Sequence, residues 1–159
     1  DKNTSMLFGD AATATLICQD GPGWRLTAYD YGTRSGDWEA LNCKSGKLKM
    51  NGRSVFEFAA KYVPQSINQL LSKTNTEKDD IDFFLFHQGS RYIVETIAKR
   101  LGVTENKFLF GSSDYGNSVS SSIPLLLNQY SSLISNKNKI IASGFGVGLS
   151  WATCILEKV

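Results

Sequence analysis

The chain has 159 residues, enough for one domain that buries roughly two thirds of the surface its unfolded form exposes. With 42% hydrophobic and 20% charged residues it has the make-up of an ordinary folded protein, and no apolar stretch approaches the ~18 residues that span a bilayer. A net charge of +2 on scattered lysines speaks against nucleic acid as a partner, and Cys18, Cys43 and Cys154 lack the spacing of a disulfide framework or a metal site.

The opening DKNTSMLFGD has neither the basic head nor the apolar core of a signal peptide. It also lacks an initiating Met, which suggests a piece of something longer, with reduced thiols in the cytosol as the expected setting. Met6 to Asp20, rich in Thr, Ala, Leu and Ile, reads as a strand. The Asp-Gly-Pro-Gly of 20–23 breaks it, and a second extended run over Trp24 to Thr33 completes a hairpin signal. Tyr31 to Lys49 shows no clean period and reads as an irregular excursion.

Helical spacing follows. Val55, Phe58, Ala59, Tyr62, Val63, Ile67, Leu70 and Leu71 fall on one stripe, Ser54 and Glu57 have capping-box spacing, and Pro64 predicts a kink or a split. Ile81 to Phe86 is almost wholly apolar, as a parallel strand covered on both faces must be. Ser90 caps the next helix, whose stripe runs Ile93, Val94, Ile97, Ala98, Leu101 to a stop at Gly102. After a loop over Asp114 to Ser122, a helix carries Ile123, Leu126, Leu127, Tyr130, Leu133 and Ile134, with Pro124 in its first turn. Lys139 to Phe145 and Leu149 to Leu156 are the last two strands, turned by Gly146-Val147-Gly148. Five strands alternating with helices predict an α/β fold, a mixed five-stranded sheet layered with helices and with one face open.

Three places carry residues suited to chemistry: the sole histidine, His87, at a strand end; Asn117 in a Gly-Asn loop; and the glycine turn at 146–148. Ligands gather outside the carboxyl ends of strands in open α/β sheets. A neutral imidazole and a carboxamide are both N–H donors, and two donors converging on one oxygen stabilise developing negative charge. Each feature also has a plain structural reading, as a satisfied strand-end histidine, a turn and a hairpin. Taken singly, none decides.

Together they resemble the C-terminal half of 3-ketoacyl-acyl carrier protein synthase III, a thiolase-like condensing enzyme. The motifs are LFGDAATATLI (Leu7 to Ile17), MNGRSVFEFA (Met50 to Ala59), IDFFLFHQGSRYIVETIAKRLGV, YGNSVSSSIP and GFGVGLSWA (Gly144 to Ala152), in the family's order over nearly the whole chain. Plant-type polyketide synthases share the His and the Gly-Asn, but Trp151 favours synthase III. The resemblance implies one thiolase-like half and a decarboxylative Claisen condensation, with no metal and no cofactor. His87 and Asn117 would hold the enolate left when carbon dioxide departs, and the backbone of Gly146, Val147 and Gly148 would supply the oxyanion donor. Gly52, Gly89 and Ser90 would line the substrate arm. Arg53 and Arg91 would meet carrier-protein acid or a phosphate, although surface charges need no such reason.

It further implies acyl-CoA or acyl- and malonyl-acyl carrier protein as partners, a homodimer, a cytoplasmic enzyme of fatty acid synthesis, and an N-terminal domain that carries the cysteine nucleophile. The family's His-Gln-Ala-Asn is His87-Gln88-Gly89-Ser90 here. Cys18 and Cys154 are expected in buried strands, where burial raises the thiol pKa, and Cys43 in a loop, so all three read as structural. Residues 1–159 alone would then be half an active site. The alternatives are a non-catalytic scaffold of the same fold, or acyl transfer to a hydroxyl or amine.

Overall fold

The structure is a computed structural model, which describes residues 2–159. A short helix α1 (Lys2–Ser5) leads into an extended stretch, then come strand β1 (Trp24–Thr33), a 3-10 turn (Ser35–Ala40), and a small hairpin of β2 (Leu41–Lys44) and β3 (Lys47–Met50). Helix α2 (Gly52–Lys73), strand β4 (Phe83–Phe86), helix α3 (Arg91–Leu101), helices α4 (Ser122–Gln129) and α5 (Ser131–Ile134), and strands β5 (Lys139–Gly146) and β6 (Ser150–Lys158) follow.

The main sheet has four strands, ordered β1-β6-β5-β4, with β4 parallel to β5 and the other pairs antiparallel. Successive strand residues face opposite sides, and both sides of β4 and β5 are covered. Phe84, Phe86, Ile141 and Ile155 join Phe58, Val63, Ile67, Val94 and Ile97 in one core beneath α2 and α3. Phe83, Leu85 and Ile140 join Leu109, Leu126 and Ile134 in a second core beneath α4 and α5. All four residues of β4 are buried, which is why its sequence shows no polar alternation.

The sheet differs from the five-stranded expectation because Met6 to Asp20 is not a strand. Within that stretch Phe8 alone bridges another segment, at Asn117, and β1 pairs with β6 instead. Strands persist when their amides find a ladder and their apolar side chains a cover, and Leu16 and Ile17, 87% and 89% exposed, have neither. Cys18 is accordingly exposed rather than buried. The expected open face lies at the β1 edge, where Leu26, Tyr29 and Tyr31 are exposed and the two tyrosine rings stack.

Further readings are corrected. The stretch read as irregular holds the β2-β3 hairpin, closed by Ser45 and Gly46, both at positive φ, the backbone a two-residue hairpin turn requires. Helix α2 runs unbroken past Pro64 and begins under Asn51, whose side chain accepts the Ser54 N–H at 3.1 Å. Glu57, expected in a capping box, accepts from Arg53 instead. The last helical stripe is divided at Tyr130 into α4 and α5. α3 begins and ends as its sequence reads, with Ser90 accepting the Ile93 N–H and Gly102 at φ +69.

A buried polar chain ties β1, α2, β6 and β5 together. Lys73 donates to Asp30 at 2.8 Å, Ser66 donates to Asp30 at 2.7 Å, and the Ser66 oxygen lies 3.1 Å from Thr153 Oγ1, itself 2.8 Å from Ser143 Oγ. The Ser143 carbonyl accepts the backbone N–H of His87 at 2.9 Å, so this chain ends at the residue on which the sequence turns.

Candidate active site

β4 ends at Phe86, and the chain leaves the sheet through His87, Gln88 and Gly89 before Ser90 starts α3. Gln88 is what fixes this exit. Its side chain is buried, donating to the carbonyls of Phe86 at 2.8 Å and Leu109 at 3.4 Å and accepting the Gly111 N–H at 3.0 Å. A buried amide with its bonds satisfied holds the loop and leaves the His87 ring to face outward.

His87 and Asn117 line one cleft of about 800 Å³. The imidazole Nδ1 lies 2.8 Å from the Ser122 hydroxyl, and the ring meets Phe145 edge-on at 5.0 Å between centroids. Burial pushes the imidazole pKa down to about 4, with the Val119 backbone working the other way, so the ring is neutral at physiological pH. Asn117 is buried and held at three points. Its N–H donates to Leu7 O at 2.9 Å, its carbonyl accepts the Gly9 N–H at 3.1 Å, and its Oδ1 accepts the Val119 N–H at 2.9 Å. With Oδ1 taken, the Nδ2 amide is the free donor.

The walls are apolar, with Leu41, Leu48, Met50, Val55 and Phe56 among them, and Arg53 is the one charged residue among the described lining residues. Among the described residues no Asp, Glu, Lys or Cys lines the cleft. Such a site has donors for an anion and, among the described residues, no carboxylate to repel it. A negative oxygen entering it meets N–H groups in an environment where each is worth more than in water.

Of the other expected residues, Gly52, Arg53, Gly89, Ser90, Gly146 and Val147 line the cleft, Val147 being 64% exposed. Gly148 does not. It sits in the turn at φ +144, and a Cβ there would run into Ser150. Arg91 also stands off the cleft, over the Phe110 ring at 4.0 Å and 3.6 Å from Glu95. Arg53 is paired to Glu57 at 2.9 Å. Cys154 is half-buried with its thiol pKa raised by burial, Cys43 is exposed, and neither meets the imidazole.

Sequence reasoning missed Ser122, Gln88 and the pair Leu7 and Phe8, which also line or brace the cleft. The Ser-Ser-Ser run before Ile-Pro was a visible signal of hydroxyls at a helix start. Gln88 stood in the His-Gln-Gly-Ser motif, but nothing in the sequence marked its bracing role.

The family model described as 3-oxoacyl-(acyl-carrier-protein) synthase III C terminal matches residues 71–158. The chain belongs to that family. It is 33% identical over 175 residues to the beta-ketoacyl-(acyl-carrier-protein) synthase III of Lactococcus lactis subsp. lactis, covering 99% of this chain and 54% of that protein. For the protein of the same description from Staphylococcus aureus the identity is 35% over 161 residues, with 99% and 51% covered. The solved beta-ketoacyl synthase III of Thermus thermophilus superposes with a TM-score of 0.84 at 27% identity, over 99% of this chain and 53% of that one. The chain spans about half the length of the curated relatives it matches. The α/β architecture is therefore that of the family's C-terminal domain, with the strand count corrected to four in the main sheet. No helix among the described residues is long and apolar enough to cross a membrane, and no group of three His, Cys, Asp or Glu side chains among them is placed to hold a metal.

Proposed function

We propose that this chain is the enolate-stabilising half of a decarboxylative condensing acyltransferase. The observation that carries the reading is the joint placement of a neutral imidazole and an amide with a free donor in an apolar cleft that no carboxylate among the described residues lines. When a malonyl thioester enters, its C–C bond to the carboxylate breaks, carbon dioxide leaves, and the electron pair becomes an enolate. Its oxygen lies between His87 and Asn117. The enolate carbon then attacks an acyl thioester, and the released thiolate is that of a nucleophile outside residues 1–159. A second domain supplies that cysteine in this reading, because no cysteine of the chain lines the cleft. The backbone at Val147 faces the same space and is the donor for the tetrahedral oxyanion that forms when the acyl thioester is attacked.

The partners that follow are acyl-CoA or acyl-acyl carrier protein and malonyl-acyl carrier protein, in a cytoplasmic homodimer. Gly52, Gly89 and Ser90 would pass the thioester arm, with the Arg53 charge at the rim. The test joins the chain to a nucleophile-bearing N-terminal half and follows malonyl-dependent carbon dioxide release with product. His87→Ala and Asn117→Ala should each lower the rate about 10² to 10³ fold, the usual cost of losing one oxyanion donor. Unchanged turnover in both variants would sink the proposal and favour a scaffold. Product without carbon dioxide would favour transfer to a hydroxyl or amine.

A further inference from the structure

A neutral imidazole has one proton and two nitrogens. The nitrogen that carries it decides whether His87 offers the cleft a donor or an acceptor, and only a donor can hold an enolate oxygen. Ser122, the first residue of α4, is buried and touches both relevant groups. Its oxygen lies 3.4 Å from the Gln88 N–H, which donates to it, and 2.8 Å from His87 Nδ1. A buried hydroxyl proton needs an acceptor, and Nδ1 is the acceptor it meets. The Gln88 N–H is itself fixed, because the Gln88 side chain is bonded to Phe86, Leu109 and Gly111.

We propose that Ser122 is a positioning residue whose hydroxyl donates to His87 Nδ1, keeping the ring's proton on Nε2 and aimed into the cleft. The direction of the whole relay is set by one backbone N–H, that of Gln88. The assignment rests on the enolate reading only for the use made of the donor; the tautomer itself is a property of the chain.

The test exploits the sole histidine, since every imidazole signal of the chain labelled with the heavy nitrogen isotope belongs to His87. Long-range nitrogen–proton correlations should show a bare Nδ1 and a protonated Nε2 near neutral pH. Ser122→Ala should lose that single pattern, and Ser122→Thr, which keeps the hydroxyl, should restore it. A proton on Nδ1 in the unaltered chain overturns the assignment whether or not the variants fold. So does the unaltered pattern persisting in Ser122→Ala. In the condensation assay Ser122→Ala should lower malonyl decarboxylation about 10 to 100 fold, the usual loss when the partner that orients a working histidine is removed. Because the tautomer is read without turnover, a protonated Nε2 in an inactive protein would sink the proposed function and leave this assignment standing.

Discussion

His87 and Asn117 reach the same cleft on unlike supports. His87 ends a strand whose four residues are buried from both sides, and its backbone N–H is tied to Ser143 on the neighbouring strand. Asn117 lies in a loop, and its backbone is held by Leu7 and Gly9, more than a hundred residues earlier, at an isolated bridge. One donor inherits the stiffness of the core. The other depends on a few backbone bonds to a segment that is otherwise exposed. Damage to the core should therefore unfold the protein, while damage to the bridge should displace one donor and spare the fold.

The largest effect expected is at Phe86, fully buried and in ring contact with Phe84 and Phe108. Phe86→Ala should cost about 3 to 5 kcal/mol in urea unfolding, the range for an emptied aromatic core position. A cost near that of a surface substitution would remove the claim that the core holds His87.

His87 should also mark the pH dependence of stability. Its folded pKa of about 4 lies below the ordinary 6.5. Between those values the unfolded chain takes a proton that the folded chain refuses, so stability falls as pH falls through the window, by about 3 kcal/mol at full extent. His87→Gln should flatten this slope between pH 7 and pH 4, and Asn117→Ala should leave it in place. Equal slopes in the unaltered protein and His87→Gln would show that the ring is not desolvated.

The same contrast explains what the sequence disclosed. β4, α3 and β5 were legible because their burial is settled within the chain: Phe83 to Phe86 and the stripe from Ile93 to Leu101 have partners that require them to be apolar. Met6 to Asp20 has strand composition, but composition does not supply a ladder, and only Leu7 to Gly9 found one. The β2-β3 hairpin was hidden by lysines on its exposed side, although Leu48 and Met50 alternate as a strand should. Pro64 did not break α2 because neighbouring turns, packed under the sheet, carry the helix across the missing donor. At the site, His87 was visible as the sole histidine at a strand end, and Asn117 through its place in a Gly-Asn loop. Gln88 was not, because a buried amide looks in sequence like any other, and Ser122 showed only as one of three hydroxyls at a helix start.

Gly9→Ala tests the weaker support. A Cβ at Gly9 would collide with the Tyr115 carbonyl, so the strand-like contact that holds Asn117 must shift. Turnover should fall by up to about 10² fold, the penalty of an ångström-scale misplacement, while the urea midpoint moves little. A stability loss matching that of Phe86→Ala would erase the distinction between the two supports.

The smallest effect should come from Asp30, at the far end of the polar chain that reaches His87 through Ser66, Thr153 and Ser143. Burial raises its pKa as the largest single influence, but the hydrogen bonds from Lys73 and Ser66 and the Lys73 charge together hold the carboxyl below its ordinary value. A depressed carboxyl pKa stabilises the fold above the ordinary carboxylate range and ceases to do so as pH falls through the folded value. Asp30→Asn should cost about 1 kcal/mol at pH 7, because the Lys73 end of the pair is in water and its charge is screened. The gap between Asp30→Asn and the unaltered protein should hold above the ordinary value of 3.8 and close as pH falls below it, through the lowered folded value at which the native carboxyl takes its proton. A gap that stays constant as pH falls well below 3.8 would mean the carboxylate charge contributes nothing, and that the chain from Asp30 to Ser143 works by packing alone.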